Sequence, residues 1–286
     1  MHVLPFESQV RVIGALTEGC SIRSVERMTK IHRDTVMRLG SKIGQACEQL
    51  HDSLMCDLQV STIELDEQWD FISKKQKHVT FNDPKEKGDV WLFVALSANH
   101  KAVLSYVVGK RTADNARILA QDLRSRILNR PQITSDGYLP YIQAVKLAFS
   151  TDADFAQLVK VYQAEPGNDS AHRYSPGRIR SIEKAVIQGV PDPDKISTSY
   201  VERFNLSTRM SMRRFTRLTN GFSKKLENHK AAVSLWICFY NLCRVHETLR
   251  CTPAMALGVT NHVWSIAELV DNALNITTSE HPMLLQ

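Results

Sequence analysis

The chain is 286 residues long, 43% hydrophobic and 23% charged, the proportions of a soluble globular protein with room for one large or two smaller domains. Its formal net charge of +6 suits a polyanionic partner without requiring one. No apolar run reaches the roughly 18–20 residues of a membrane span, Met1-His2-Val3-Leu4-Pro5 has no basic segment leading into an apolar one, and the six cysteines include no C-x-x-C pair. The expectation is a cytosolic protein with reduced thiols and neither a zinc ribbon nor a thioredoxin-like site.

Phe6, Val10, Ile13 and Leu16 recur at helical spacing and predict a first helix, which Gly19 stops. Ser21 is placed to cap a second helix over 22–28, with Thr29 to His32 as a turn before a third over 33–39. Three short helices in this arrangement predict a helix-turn-helix domain over residues 1–45. The third helix turns Arg33, Asp34, Thr35 and Arg38 outward and offers Val36, Met37 and Leu39 as its apolar face. Short polar and basic side chains near the start of such a helix fit a DNA major groove, which makes Arg33, Thr35 and Arg38 candidate DNA contacts. A helical bundle that binds protein, or nothing, fits the same pattern. Ala46, Leu50, Leu54 and Leu58 then predict a linker helix within 46–60.

From Ser61 the pattern becomes strand-like. Ile63 and Leu65 begin a first strand running toward Trp69, Val90 to Leu96 is apolar enough to be buried on both faces, and Lys101 to Val108 makes a third strand after a hairpin at 97–100. Residues 73–89 are lysine-rich and predict an exposed loop. Thr112 is the expected cap of a helix whose Ala116, Leu119, Ala120, Leu123 and Ile127 share one face, and Asn129-Arg130-Pro131 ends it. A short strand over 132–134 delivers Asp136, with Gly137 permitting the turn and a helix over 141–149 following. A fifth strand is expected within 155–162. Strand, strand, strand, helix, strand, helix is the order of an α/β ribonuclease H-like fold with a mixed sheet, placed here at 61–258.

Residues 163–198 contain Pro166, Gly167, Pro176, Gly177, Pro191 and Pro193, and predict a loop or small insertion in which Arg173, Arg178 and Arg180 are further candidate DNA contacts. Residues 231–242 are apolar nearly all round, so that helix is expected to be buried against the sheet or a partner subunit. Residues 259–286 are expected to be a C-terminal tail.

Three acids sit at the edges of these elements: Asp66 at the close of Ser61-Thr62-Ile63-Glu64-Leu65, Asp136 after the short strand, and Glu202 in a helix-like run rich in arginine. Carboxylates at strand ends and on a facing helix can converge on hard cations, which prefer oxygen ligands. Glu64, on the same strand face as Asp66, competes for that role, as do Glu67, Asp70, Asp152, Asp154 and Glu183. His100, His229 and His246 fit structural roles better than catalytic ones, and His246-Glu247 lacks the second histidine of a zinc protease motif. Trp69 fits a base-stacking role and a core role equally.

The blocks Asp66-Glu67-Gln68-Trp69, Ser135-Asp136-Gly137-Tyr138 and Tyr200-Val201-Glu202-Arg203-Phe204-Asn205 resemble those of the DDE-type transposases of bacterial insertion sequences, most closely the insertion-sequence-one family. Later segments share the likeness: Phe222-Ser223-Lys224, His229, Tyr240-Asn241-Leu242-Cys243-Arg244-Val245-His246 and Thr252-Pro253-Ala254. The resemblance spans about residues 60–258. It implies that Asp66, Asp136 and Glu202 are a catalytic, metal-binding triad for Mg²⁺, with Mn²⁺ able to substitute and two ions per site. It also implies a basic residue seven positions after the glutamate, which is Arg209; Arg213 extends that helix face, and Arg203, Arg214 and Arg217 add positive charge, with surface solvation as their alternative. The implied partners are double-stranded DNA, as transposon ends and as target, and further copies of the chain in a homodimer or higher homo-oligomer. Some members of the family carry an N-terminal zinc finger, for which this sequence has no ligand set. Two other functions fit the same residues: a transposase-derived DNA-binding regulator without catalysis, and a ribonuclease H-like nuclease.

Overall fold

Among the described residues Thr62–Ile72 form the longest strand, β1, and the sheet is built outward from it. In the computed structural model, which describes residues 4–162, 179–216 and 220–279, β1 lies between β2 (Gly88–Ser97) and β4 (Gln132–Ser135). With β3 (Val103–Gly109), β5 (Asp154–Tyr162) and β6 (Ile179–Gln188) the sheet order is β3-β2-β1-β4-β5-β6. β1, β2 and β3 form an antiparallel meander, β4 runs parallel to β1 and β5 to β4, and β6 returns antiparallel to β5. This is the mixed α/β sheet expected of a ribonuclease H-like fold. Proline and glycine spacing suggested a loop or insertion over 163–198, but residues 179–188 are a sixth strand whose residues are largely exposed. A solvated edge strand has no buried face to impose an apolar alternation. Arg173, Arg178 and Arg217 lie outside the described residues; Arg180 is exposed on β6.

α4 (Ala113–Arg126) is capped by Thr112, whose hydroxyl accepts from the Asn115 amide at 3.4 Å, and it packs on β2, β3 and α5 (Pro140–Phe149). α6 (Ser199–Ser211) crosses β1 and β2, and α7 (Leu226–Cys238) continues into a π-helical turn at Phe239–Cys243, buried as its all-round apolar sequence requires. α8 (Pro253–Ala256) is a single turn.

At the N-terminus α1 (Phe6–Thr17) and α2 (Ile22–Thr29) precede α3, and Val12, Val25 and Val36 from the three helices form a small core of their own. The Ser21 hydroxyl caps α2 by accepting from the Ser24 amide at 3.1 Å. The expected third and linker helices are one continuous helix, α3 (Arg33–Leu54), so the division drawn at residue 45 falls inside it. Gly40 and Gly44 lower helix propensity there, but tertiary packing overrides it. A Cβ at Gly44 would lie 2.0 Å from the carbonyl oxygen of Ala231 on α7, so the glycine is what lets the two helix backbones touch. Met37, assigned to the apolar face, is instead 43% exposed beside Arg38. The segment taken for a tail contains α9 (Ile266–Ser279), which packs on α1 and α3 and buries Leu269, Val270 and Ala273. Ile13, Ile43, Cys47 and Leu50 belong to the same buried cluster as the sheet. Among the described residues no helix is long and apolar enough to cross a membrane.

Candidate metal centre

Parallel pairing between β1 and β4 ends at Leu65 opposite Ser135. Asp66 and Asp136 are the next residue on each chain. Asp66 is therefore in the middle of its own strand, not at its end as the sequence suggested, yet it is the first β1 residue past the last β4 partner. Gln157 on β5 fixes the turn after β4, donating from Nε2 to the Asp136 carbonyl at 2.9 Å and the Tyr138 carbonyl at 3.2 Å. The Tyr138 amide donates to Asp136 Oδ1 at 3.0 Å.

The face of β1 carrying Glu64, Asp66 and Gln68 meets α6 at three points. The Val201 amide donates to Glu64 Oε2 at 2.8 Å, Asn205 Nδ2 to Asp66 Oδ2 at 2.7 Å, and Gln68 Nε2 to the Asn205 carbonyl at 3.0 Å. Glu64, a rival in the sequence, thus satisfies an orphan amide in the first turn of α6. Glu202 lies in that turn, one residue beyond, and its Oε1 accepts from Lys160 on β5 and from the Thr198 hydroxyl.

Carboxylate oxygens of Asp66, Glu67 and Asp136 lie within 4.8 Å of one another, and Glu202 is outside this tightest group. Strand alternation sends Glu67 to the opposite face from Asp66, with Phe93, Tyr138 and Tyr141. β4 stops at Ser135, so side chains from both faces of β1 reach the end of that short strand. Arg111 lies over the rings of Trp91 and Tyr138, 4.9 and 4.2 Å from their centroids, with Nη2 3.4 Å from Glu67 Oε2.

Crowded acids resist ionisation. Burial, with the Asp136 and Glu202 charges added, lifts Asp66 to about 7 against the hydrogen bond from Asn205. Burial and the Asp136 charge lift Glu67 to about 8, opposed by Arg111. Asp136 is raised by burial, with the Tyr138 amide, Arg111 and Lys160 opposing. Desolvated like charges are what a divalent cation would relieve, and an all-carboxylate donor set fits Mg²⁺ or Mn²⁺.

The other acids are not part of this group. Asp70 is buried, raised to about 7 by burial, with Oδ2 3.6 Å from Nδ1 of buried His229. Asp152 pairs with Arg124 at 3.2 Å and Asp154 with Arg130 at 2.6 Å, while Glu183 is exposed on β6. His100 lies 2.9 Å from the Ser97 hydroxyl through Nδ1, and Trp69, half-buried, contacts Phe71.

Of the arginines, Arg203 and Arg213 are exposed, and Arg209 is half-buried two turns after Glu202 on α6. Arg213 lies past the end of α6 in a 3-10 turn, Arg213–Phe215, not on the helix itself. Arg214 turns inward: its Nη1 donates at 2.7 Å to Ser223 Oγ, which is 2.9 Å from His229 Nδ1. The resemblance had it adding positive charge for DNA, with surface solvation as the alternative; its guanidinium instead packs inward against Ser223. In the N-terminal helices Arg33 and Arg38 are exposed at the start of α3, and Arg38 Nη2 donates to the Thr35 hydroxyl at 3.4 Å.

No protein-family model matches the chain, and no curated protein sequence does. Among solved structures it is similar to a piggyBac transposase synaptic complex with hairpin DNA, at 10% identity and a TM-score of 0.46, over 98% of this chain and 73% of that one. It is also similar to the Mos1 mariner paired end complex with Mn, at 12% identity and 0.34, over 98% and 81% of the two chains. A pre-cleavage Mos1 transpososome gives 12% identity and 0.33, over 99% and 82%. At these scores the likeness carries no weight for function.

Proposed function

We propose that the chain is a DNA transposase of the DDE type, close to the insertion-sequence-one family, which cleaves transposon 3′ ends and joins them to target DNA. The observation that carries this reading is the meeting of Asp66 and Asp136 just past the last paired residues of two parallel strands, with Glu202 on the helix bound across them. Asp66, Asp136 and Glu202 would hold Mg²⁺, two ions per site with Mn²⁺ substituting. Such ions supply Lewis-acid stabilisation of the phosphate oxygens and lower the pKa of water.

The chain's own residues orient and exclude. Asn205 fixes the Asp66 carboxylate, Glu64 fixes the start of α6, and Gln157 fixes the turn behind Asp136. Arg209, Arg213 and Arg203 supply positive charge along and beyond α6 for the DNA backbone, and Arg33, Thr35 and Arg38 read the transposon end in the major groove. In strand transfer a freed 3′ oxygen forms a bond to a target phosphorus as the bond from that phosphorus to the target's own 3′ oxygen breaks, so no protein side chain becomes covalently attached. Two ends must be held together, which calls for a homodimer or a higher homo-oligomer on double-stranded DNA.

The test is incubation with labelled DNA carrying the terminal repeats that flank the gene, plus Mg²⁺ and a target plasmid. Nicked ends and joined products are the expected result. Binding without cleavage would identify a regulator, and hydrolysis without joining a nuclease.

A further inference from the structure

The group of oxygens closest to one another is not the three acids on which the proposed function stands. It contains Asp66 and Asp136 but replaces Glu202 with Glu67. Acids often gather without a ligand, so proximity alone says little. Two further observations point to one here.

The Glu67 side chain is 1% exposed, and among the described residues its Oε1 has no hydrogen-bond partner. Below it the hydroxyl of Tyr141, a residue with 0% exposure, is equally unpartnered. Buried polar atoms are nearly always satisfied, and two orphans beside one carboxylate cluster mark a place where a ligand completes the bonding. The other oxygen of Glu67 is already engaged, since Oε2 faces Arg111 Nη2 at 3.4 Å. Arg111 is in turn held against the Trp91 and Tyr138 rings, so the carboxylate is braced through Oε2 while Oε1 is left without a partner.

We propose that Glu67 is a ligand of the cation held by Asp66 and Asp136, giving Oε1 to the metal while Arg111 keeps Oε2. This rests on the reading of Asp66 and Asp136 as cation ligands. Glu202, held by Lys160 and Thr198, stands outside this group.

Two measurements on the full-length protein test this. The first is Mn²⁺ affinity, by calorimetry and by the electron paramagnetic resonance signal of the free ion, for wild type, Glu67→Gln and Asp66→Asn. Glu67→Gln is expected to bind Mn²⁺ at least about tenfold more weakly than wild type, the scale on which losing one interaction of a metal site is felt. The second uses Glu67→Cys with Cd²⁺, a soft ion that thiolate favours. A cadmium-thiolate absorption band is expected in that variant and not in a wild-type control carrying the same six native cysteines. Such a band requires the metal to touch position 67, which a merely structural role would not give.

Mn²⁺ affinity unchanged in Glu67→Gln, or no new band in Glu67→Cys, overturns the proposal while an Asp66→Asn loss leaves the metal centre standing. Mn²⁺ binding that survives Asp66→Asn unaltered overturns both. If Glu67→Gln does not fold, Glu67→Cys carries both readouts.

Discussion

Asn205 Nδ2 donates to Asp66 Oδ2 at 2.7 Å, and the Asn205 carbonyl accepts from Gln68 Nε2 at 3.0 Å, so one residue of α6 is tied twice to the strand bearing the first acid. The helix carrying Glu202 is thereby registered against β1. Replacing Asn205 with alanine removes the first bond and keeps the second. The expected outcome is a drop in end joining of about tenfold to a hundredfold, as for other residues that orient metal ligands. Stability should fall by roughly 1–3 kcal/mol, the cost of a lost buried hydrogen bond. Single-turnover joining and urea denaturation measure the two; unaltered joining would remove Asn205 from the site.

The three acids of the proposed function should separate binding from chemistry. Asp66→Asn, Asp136→Asn and Glu202→Gln are each expected to abolish cleavage and joining while leaving DNA binding near wild type in a gel-shift titration. Persistent strand transfer in any of the three would exclude that residue.

Lys160 competes for Glu202. Lys160→Met removes an ammonium from a carboxylate that is 46% exposed and takes a positive charge away from the metal centre. An exposed pair of this kind is worth up to about 1 kcal/mol, so Mn²⁺ should bind a few-fold more tightly to the variant. Calorimetry checks the sign: weaker binding would mean that Lys160 positions Glu202 instead of occupying it.

Without divalent ions the stability of the fold should fall as the solution becomes more alkaline. Asp66 and Glu67 are raised to about 7 and about 8, above the ordinary value near 4 for carboxyl groups in an unfolded chain. The folded protein then binds more protons than the unfolded one between those limits, and the stability that the protonated carboxyls contribute is lost as pH rises through the folded values. Scanning calorimetry should show the wild-type Tm falling between roughly pH 6 and 8, a shallower fall in Asp66→Asn, and loss of that slope with saturating Mn²⁺, because bound metal keeps both carboxyls deprotonated. Parallel slopes in wild type and Asp66→Asn would contradict the raised value.

Two arginines five residues apart should behave differently. Arg209→Ala is expected to weaken binding to transposon-end DNA and to flatten its salt dependence, with a log–log slope smaller by about one. Arg214→Ala should instead destabilise the protein by about 1.5–3 kcal/mol, because it leaves Ser223 and the neighbouring Asp70 and His229 without their cation. Fluorescence anisotropy at several salt concentrations, with thermal melts alongside, distinguishes the two.

Periodicity in the sequence determined the order of elements: three antiparallel strands, a helix capped by Thr112, a short strand before Asp136, and the helix that follows. It also determined that residues 231–242 are buried. These are local matters, since side chains alternating at period 2 or 3.6 record which face meets the core. Where no face is buried the record is lost, and β6 was unreadable for that reason. Where packing overrides propensity it misleads. Residues 33–39 and the linker were expected as separate helices in what is a single helix held against α7, and residues 259–286 were expected as a tail although α9 docks on α1 and α3.

The candidate site divides in the same way. Asp66 and Asp136 were legible as acids beside apolar strands, and Glu202 as an acid at the start of a basic helix. Glu67 was legible only as one competing acid among several, because alternation assigns neighbouring residues to opposite faces of a sheet, and only the early end of β4 lets both reach one point. Arg213 was placed on the helix face because helical spacing was carried past Ser211, where the helix stops, and Arg214 was expected near DNA although the chain there turns it inward to Ser223. Sequence alone thus offered the candidate acids and the elements that carry them. Tertiary structure decided which of them meet, because strand length, helix termination and the pairing of Glu202 with Lys160 depend on contacts between residues far apart in the chain.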